Sequence, residues 1–121
     1  MKPLQTNKLK EFLERFDNFK DAEFRSIDII SPTQISVLFA VQDSARGYDW
    51  LTIRLEFNGV SDAKLLDTNK FSLADMSDGI SLFNYNSTFY FALGNYSNEN
   101  NFTNSNCYVR AQSVKYEEGS F

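Results

Sequence analysis

Residues 50–57 read Trp-Leu-Thr-Ile-Arg-Leu-Glu-Phe. Leu51, Ile53, Leu55 and Phe57 alternate with Trp50, Thr52, Arg54 and Glu56, the period of two that sends successive side chains to opposite faces of a β-strand. One face is wholly apolar and predicts burial; the other carries a tryptophan, a hydroxyl and two opposite charges and predicts an outward side. Immediately before it, Ile35, Val37, Phe39 and Val41 alternate with Ser36, Leu38, Ala40 and Gln42. The polar Asp43-Ser-Ala-Arg-Gly47 between the two runs predicts a hairpin. Immediately after it, Asn58-Gly59 predicts either a tight turn or a glycine bulge that bends the strand toward Val60.

Further out, residues 24–30 read as a strand stopped by Ser31-Pro32. Residues 80–85 and 88–93 read as a hairpin around Asn86-Ser87, residues 94–106 as a long Asn/Ser loop, and residues 107–116 as the last strand before a frayed tail. Residues 63–78 carry mixed signals, with Ser72 a possible cap for one helical turn over Leu73 and Met76. Near the start, Leu9, Phe12, Leu13, Phe16 and Phe19 or Lys20 recur at spacings of three and four, the stripe of an amphipathic helix, with Thr6 or Asn7 placed to cap it. The architecture that satisfies all of this is α+β: an N-terminal helix packed on one face of an antiparallel meander sheet of about six strands. A chain of 121 residues with 12 phenylalanines can fill one core, so residues 1–121 read as a single domain.

Composition removes several function classes. The net charge of −4 repels phosphate backbones, and the basic residues of the helix are interleaved with acids, so no nucleic-acid partner is expected. No apolar run reaches the roughly 20 residues of a membrane span, the first residues carry no apolar leader, and Cys107 is the only cysteine. The expectation is a cytoplasmic protein with no membrane partner, in which the sequons at Asn86, Asn95 and Asn101 are incidental. There is no histidine, which removes the commonest general base and most zinc and iron sites. Cys107, beside Tyr108 and Val109, reads as a small core residue and not a nucleophile. The acidic residues scatter along the chain, and Asp67-Thr-Asn69 fails as a calcium loop because Phe71 holds the fifth position. Neither a cofactor nor a metal is expected, and no catalytic residue can be named.

One constellation remains. If Leu51 to Phe57 alternate inward, Trp50 and Arg54 face outward, and the same period puts Tyr90, Tyr108 and Arg110 on an outer face with them. Trp, Tyr and Arg are the residues that concentrate binding energy at protein interfaces.

Phe57-Asn-Gly-Val-Ser-Asp62 leaving a Trp-bearing strand, then Leu65-Leu66, Ile80-Ser-Leu, Phe89-Tyr-Phe and Cys107-Tyr-Val-Arg-Ala111, resembles a pattern in small uncharacterised bacterial α+β proteins. Some of those are grouped with the immunity proteins of polymorphic toxin systems. The resemblance spans about residues 24–117, carries no catalytic residues, and implies a non-enzymatic protein that binds a partner. Three functions therefore compete. The first is a protein-interaction domain, an immunity-type inhibitor or a homodimer. The second is a binder of a small apolar ligand in a Phe-lined pocket between helix and sheet. The third is a carboxylate-dependent hydrolase.

Overall fold

Residues 50–57 lie in β4 (Asp49–Asn58), which pairs along its whole length with β3 (Gln34–Asp43). In this computed structural model residues 1–121 are described, apart from the side chains of Thr68 and Ser72; the cap expected at Ser72 lies outside the described residues. Leu51, Ile53, Leu55 and Phe57 are buried, as the alternation requires, opposite Val41, Phe39, Val37 and Ile35. Asp43 caps the connecting turn by accepting a hydrogen bond from the Ala45 amide, and Gly47 and Tyr48 both take left-handed φ, 63 and 66. β2 (Glu23–Ser31) pairs on the far side of β3, and β9 (Ser113–Ser120) on the other side of β4, followed by the short β1 (Lys2–Pro3). The sheet order is β1-β9-β4-β3-β2.

The α+β class and the antiparallel pairing stand, but the single meander of about six strands does not. A second sheet is built from β5 (Asp62–Lys64), β6 (Ile80–Tyr85), β7 (Thr88–Leu93) and β8 (Tyr108–Ala111), in the order β5-β8-β7-β6. The cause is a shared bend. Pairing of β4 with β9 ends at Asn58↔Ser113 and resumes as β5 with β8 at Asp62↔Arg110. At the bend Gly59 has φ +66, and the Gln112 amide donates to the carbonyls of Asn58 and Gly59. A Cβ on Gly59 would press to 2.8–2.9 Å from the Gln112 side chain. Both long strands turn this corner together and belong to both sheets, a recognised route to sheet-on-sheet packing. Phe91 of β7 then meets Phe57 and Phe39 across the core, with ring centroids 5.0 and 6.4 Å apart.

The rest of the inner face lies under α1 (Leu9–Arg15) and the turn that follows. Leu9, Phe12 and Phe16 are buried, as expected; Leu13 is half-buried. The helix is shorter than its apolar stripe suggests, and neither Thr6 nor Asn7 caps it, since no cap side chain bonds at either helical start. It stops because Asp17, Asn18 and Phe19 adopt φ of 51, 54 and 61. Left-handed residues cost roughly 1–2 kcal/mol each. That cost is offset by driving Phe19 fully into the core, edge-on to Phe39 at 5.3 Å. The turn docks on Gly79, where a Cβ would overlap the Asn18 carbonyl oxygen. Between helix and sheets the phenylalanines meet ring against ring: Phe12 with Phe16, Phe16 with Phe19, Phe24 with Phe39.

The tail is not frayed through Ser120. β9 occupies an interior position of its sheet, with Ser120 opposite Leu51. Its Glu118 bonds Arg15 at 2.7 Å, and Arg15 also makes a two-pronged contact with Asp43 at 2.9 and 2.6 Å. Among the described residues no helix is long and apolar enough to cross a membrane.

Candidate interaction surface

The outer face of the five-stranded sheet follows from the register. Trp50, Thr52, Arg54 and Glu56 stand beside Gln42, Ala40, Leu38 and Ser36 on one flank and beside Lys115, Glu117 and Gly119 on the other. The bulge between Phe24 and Ser26 brings Arg25 onto the same side, where it lines a shallow groove of about 330 Å³ with Leu38, Thr52, Arg54 and Gly119. Trp50 is 41% exposed and Phe121 61%, with their rings 5.6 Å apart. The Arg25 guanidinium sits 4.7 Å from the Phe121 ring centroid, a cation–π contact. Arg54 donates to the buried Ser36 hydroxyl at 3.1 Å and pairs with Asp28 at 3.2 Å, so it roofs the sheet as well as facing solvent. Four carboxylates and three cations are interspersed there: Glu23, Asp28, Glu56 and Glu117 with Arg25, Arg54 and Lys115.

The five residues expected on one outer face are divided between two sheets. Trp50 and Arg54 lie together as described. Tyr90, Tyr108 and Arg110 lie on the outer face of the four-stranded sheet, where Tyr90 and Tyr108 are covered by the Asn-rich loop. Phe102 of that loop is 2% exposed and meets Tyr90 and Tyr108 edge-on at 5.0 and 5.1 Å. Arg110 donates to the Ser61 hydroxyl at 3.0 Å. Arg25 and Phe121 were missed. The bulge breaks the parity that would have placed Arg25, and Phe121 fell in the stretch read as tail.

Among the described residues Asp43 is the one fully buried carboxylate, and the Arg15 guanidinium holds it below the usual carboxylate range against the opposing effect of burial. Arg46 completes the cluster, 3.6 Å from Asp43 and 3.4 Å from Glu118. Each charge is matched by another, which makes the cluster a clamp between α1, the β3–β4 turn and β9. Among the described residues no three His, Cys, Asp or Glu side chains converge to hold a metal ion.

Cys107 is fully buried, and burial pushes its thiol up to about 11. We expect a thiol reagent to leave it unmodified in the native protein and to label it only on unfolding, read by intact mass with and without denaturant. Rapid native labelling would contradict the buried placement.

Compared with known proteins, the chain matches no family model, no curated protein and no solved structure.

Proposed function

We propose that this is a non-enzymatic protein-interaction domain that binds its partner on the outer face of the five-stranded sheet. The observation that carries the reading is the exposed Trp50–Phe121 pair with the Arg25 cation against it. A solvated antiparallel face is ordinarily polar. Large aromatics left half in water beside arginine are the composition of binding hot spots. Four strands about 4.8 Å apart and about ten residues long give a face of roughly 600 Å², close to one side of a standard protein interface. The interspersed charges suit a partner with complementary pattern, a second copy being the simplest. In the reading implied by the sequence resemblance, the partner is a bacterial toxin and the domain an immunity-type inhibitor acting in the cytoplasm.

The test uses Trp50→Ala combined with Phe121→Ala, because Arg54 also supports Ser36 and its loss would confuse binding with folding. Both aromatics are exposed, so thermal stability is expected to change by about 1 kcal/mol or less. Proteins retained by the wild type from the native cell and lost with the variant are then purified and titrated by sedimentation velocity. Self-association is measured in the same runs. Loss of two hot-spot aromatics is expected to weaken binding by about a hundredfold. Equal retention and equal sedimentation of wild type and variant would remove this face from consideration.

A further inference from the structure

The four sheet edges are not treated alike. β1 is two residues long and contains Pro3; β5 is three residues long and carries Asp62 and Lys64. β2 has register breaks after Phe24 and after Ile29, and the turn Thr68–Leu73 packs along it, with Phe71 stacked on Phe24 at 5.1 Å. Shortness, charge, proline, bulges and covering segments are the means by which proteins keep an edge from pairing. β6 is neither short nor charged, has no proline and no bulge, and is flanked but not paired on its open side. It runs unbroken from Ile80 to Tyr85, pairs only with β7, and reads Ile-Ser-Leu-Phe-Asn-Tyr, without charge or proline.

The backbone groups this leaves open can be named. Asn86 and Ser87, at φ 52 and 63, form a two-residue turn, so Tyr85 and Thr88 are its hydrogen-bonded closing pair. Alternation then sends the amides and carbonyls of Ser81 and Phe83 to β7, and those of Ile80, Leu82 and Asn84 away from it. Gly94 donating to the Gly79 carbonyl agrees with this phase. Among the described residues no hydrogen bond reaches the outward groups of Ile80, Leu82 or Asn84.

Ile80 and Leu82 line a groove of about 440 Å³ with a wall on each side, and Asn84 continues the same open edge beyond it. One wall is Leu13, Asn18 and Lys20, set by the left-handed turn on Gly79. The other is Asn95, Tyr96 and Ser97, fixed where Ser81 Oγ accepts from the Tyr96 amide and donates to the Gly94 carbonyl. We infer that this groove takes an extended segment of another polypeptide, which adds to β6 as a fifth strand of the four-stranded sheet. Open N–H and C=O groups alternating along one line are complemented by another strand's backbone. The walls select a single extended segment over a second copy of β6. Paired strands lie about 4.8 Å apart, and two walled edges at that separation would drive four walls into one another. The lining itself carries one base, Lys20, and one acid, Asp78, and the net charge of −4 around it favours a segment that is neutral or basic over an acidic one.

The test pans the whole protein against a displayed library of linear peptides and follows backbone amide exchange by NMR as each selected peptide is added. The expected result is neutral or basic peptides that slow exchange at Ile80, Leu82 and Asn84 by about tenfold or more. Asn84→Pro should lower their affinity about tenfold with little change in melting temperature, because it removes an amide that has no internal partner. Failure to select any linear peptide would overturn the inference. So would protection confined to the Trp50 face, a result that leaves the proposed interaction face standing. Slowed exchange at these amides without peptide, rising with protein concentration alongside a sedimenting dimer, would overturn it in favour of a second copy. The wild-type exchange pattern decides even if Asn84→Pro does not fold.

Discussion

Arg15→Ala is expected to cost about 3–5 kcal/mol of folding stability at neutral pH, and more than Asp43→Ala. The two replacements break the same contact from opposite sides. Without Asp43, the Arg15 guanidinium keeps Glu118 at 2.7 Å and is 28% exposed, so water and one carboxylate still compensate it. Without Arg15, the Asp43 carboxylate, fully buried in the wild type, keeps only the Ala45 amide at 2.9 Å and Arg46 at 3.6 Å. An underpaired buried charge is the more expensive remainder. The pH dependence separates the two states. In the wild type Asp43 is held below its unfolded value of about 3.9, so its contribution is present above about pH 4 and is lost as pH falls through the folded value. In Arg15→Ala, burial loses its largest opponent, and the same carboxyl is expected to move upward against the remaining Ala45 amide and Arg46. The penalty is then relieved by protonation as pH falls. The stability difference should narrow on acidification, measured by denaturant unfolding between pH 7 and pH 4. A constant gap across that range would show that Asp43 is not the group left stranded.

Phe39→Ala is expected to cost about 3–5 kcal/mol, toward the upper end, and Phe12→Ala about 3. Phe39 is fully buried and is the meeting point of three elements: it touches Phe19 of the left-handed turn, Phe24 of β2 and Phe91 of the second sheet. A cavity there cannot close by moving one segment, because each wall belongs to a different one. Phe12 is 7% exposed and lies against Phe16 and Tyr116, nearer the rim, where α1 can settle inward. Equilibrium urea unfolding measures both. A loss below about 2 kcal/mol at Phe39 would mean that the ring cluster repacks freely.

Local patterns in the sequence were legible wherever one strand face is buried. Alternation placed Leu51 to Phe57 correctly, and the hairpin around Asn86-Ser87 matches β6 and β7 residue for residue. What could not be read depends on residues distant in the chain. The division into two sheets rests on Gly59 meeting Gln112, and neither residue alone distinguishes a turn from a bend. The helix stripe continues through Phe19, but Phe19 reaches the core by a left-handed turn that keeps the apolar spacing while ending the helix. Residues 117–120 have no hydrophobic period because their strand is held by backbone pairing and by Glu118 to two arginines. Tyr90 and Tyr108 do not share a face with Trp50, because parity does not say which sheet a residue belongs to or that Phe102 lies over it. The contact between Arg15 and Asp43 leaves no local trace at all.

The interior place of β9 has a consequence for synthesis. Ribosomes deliver the chain from its first residue, and β9 lies between β1 and β4 although it is made after both. Until it emerges, β4 has a vacant flank beside the apolar side chains of Leu51 to Phe57. The 62 residues that follow Asn58, through Ser120, take about 3–12 seconds to translate at 5–20 residues per second. Through that interval the five-stranded sheet cannot close, and the nascent chain presents an unpaired strand to its neighbours on the polysome. Its native pairing joins residues as distant as Lys2 and Tyr116, which places its folding among the slower topologies.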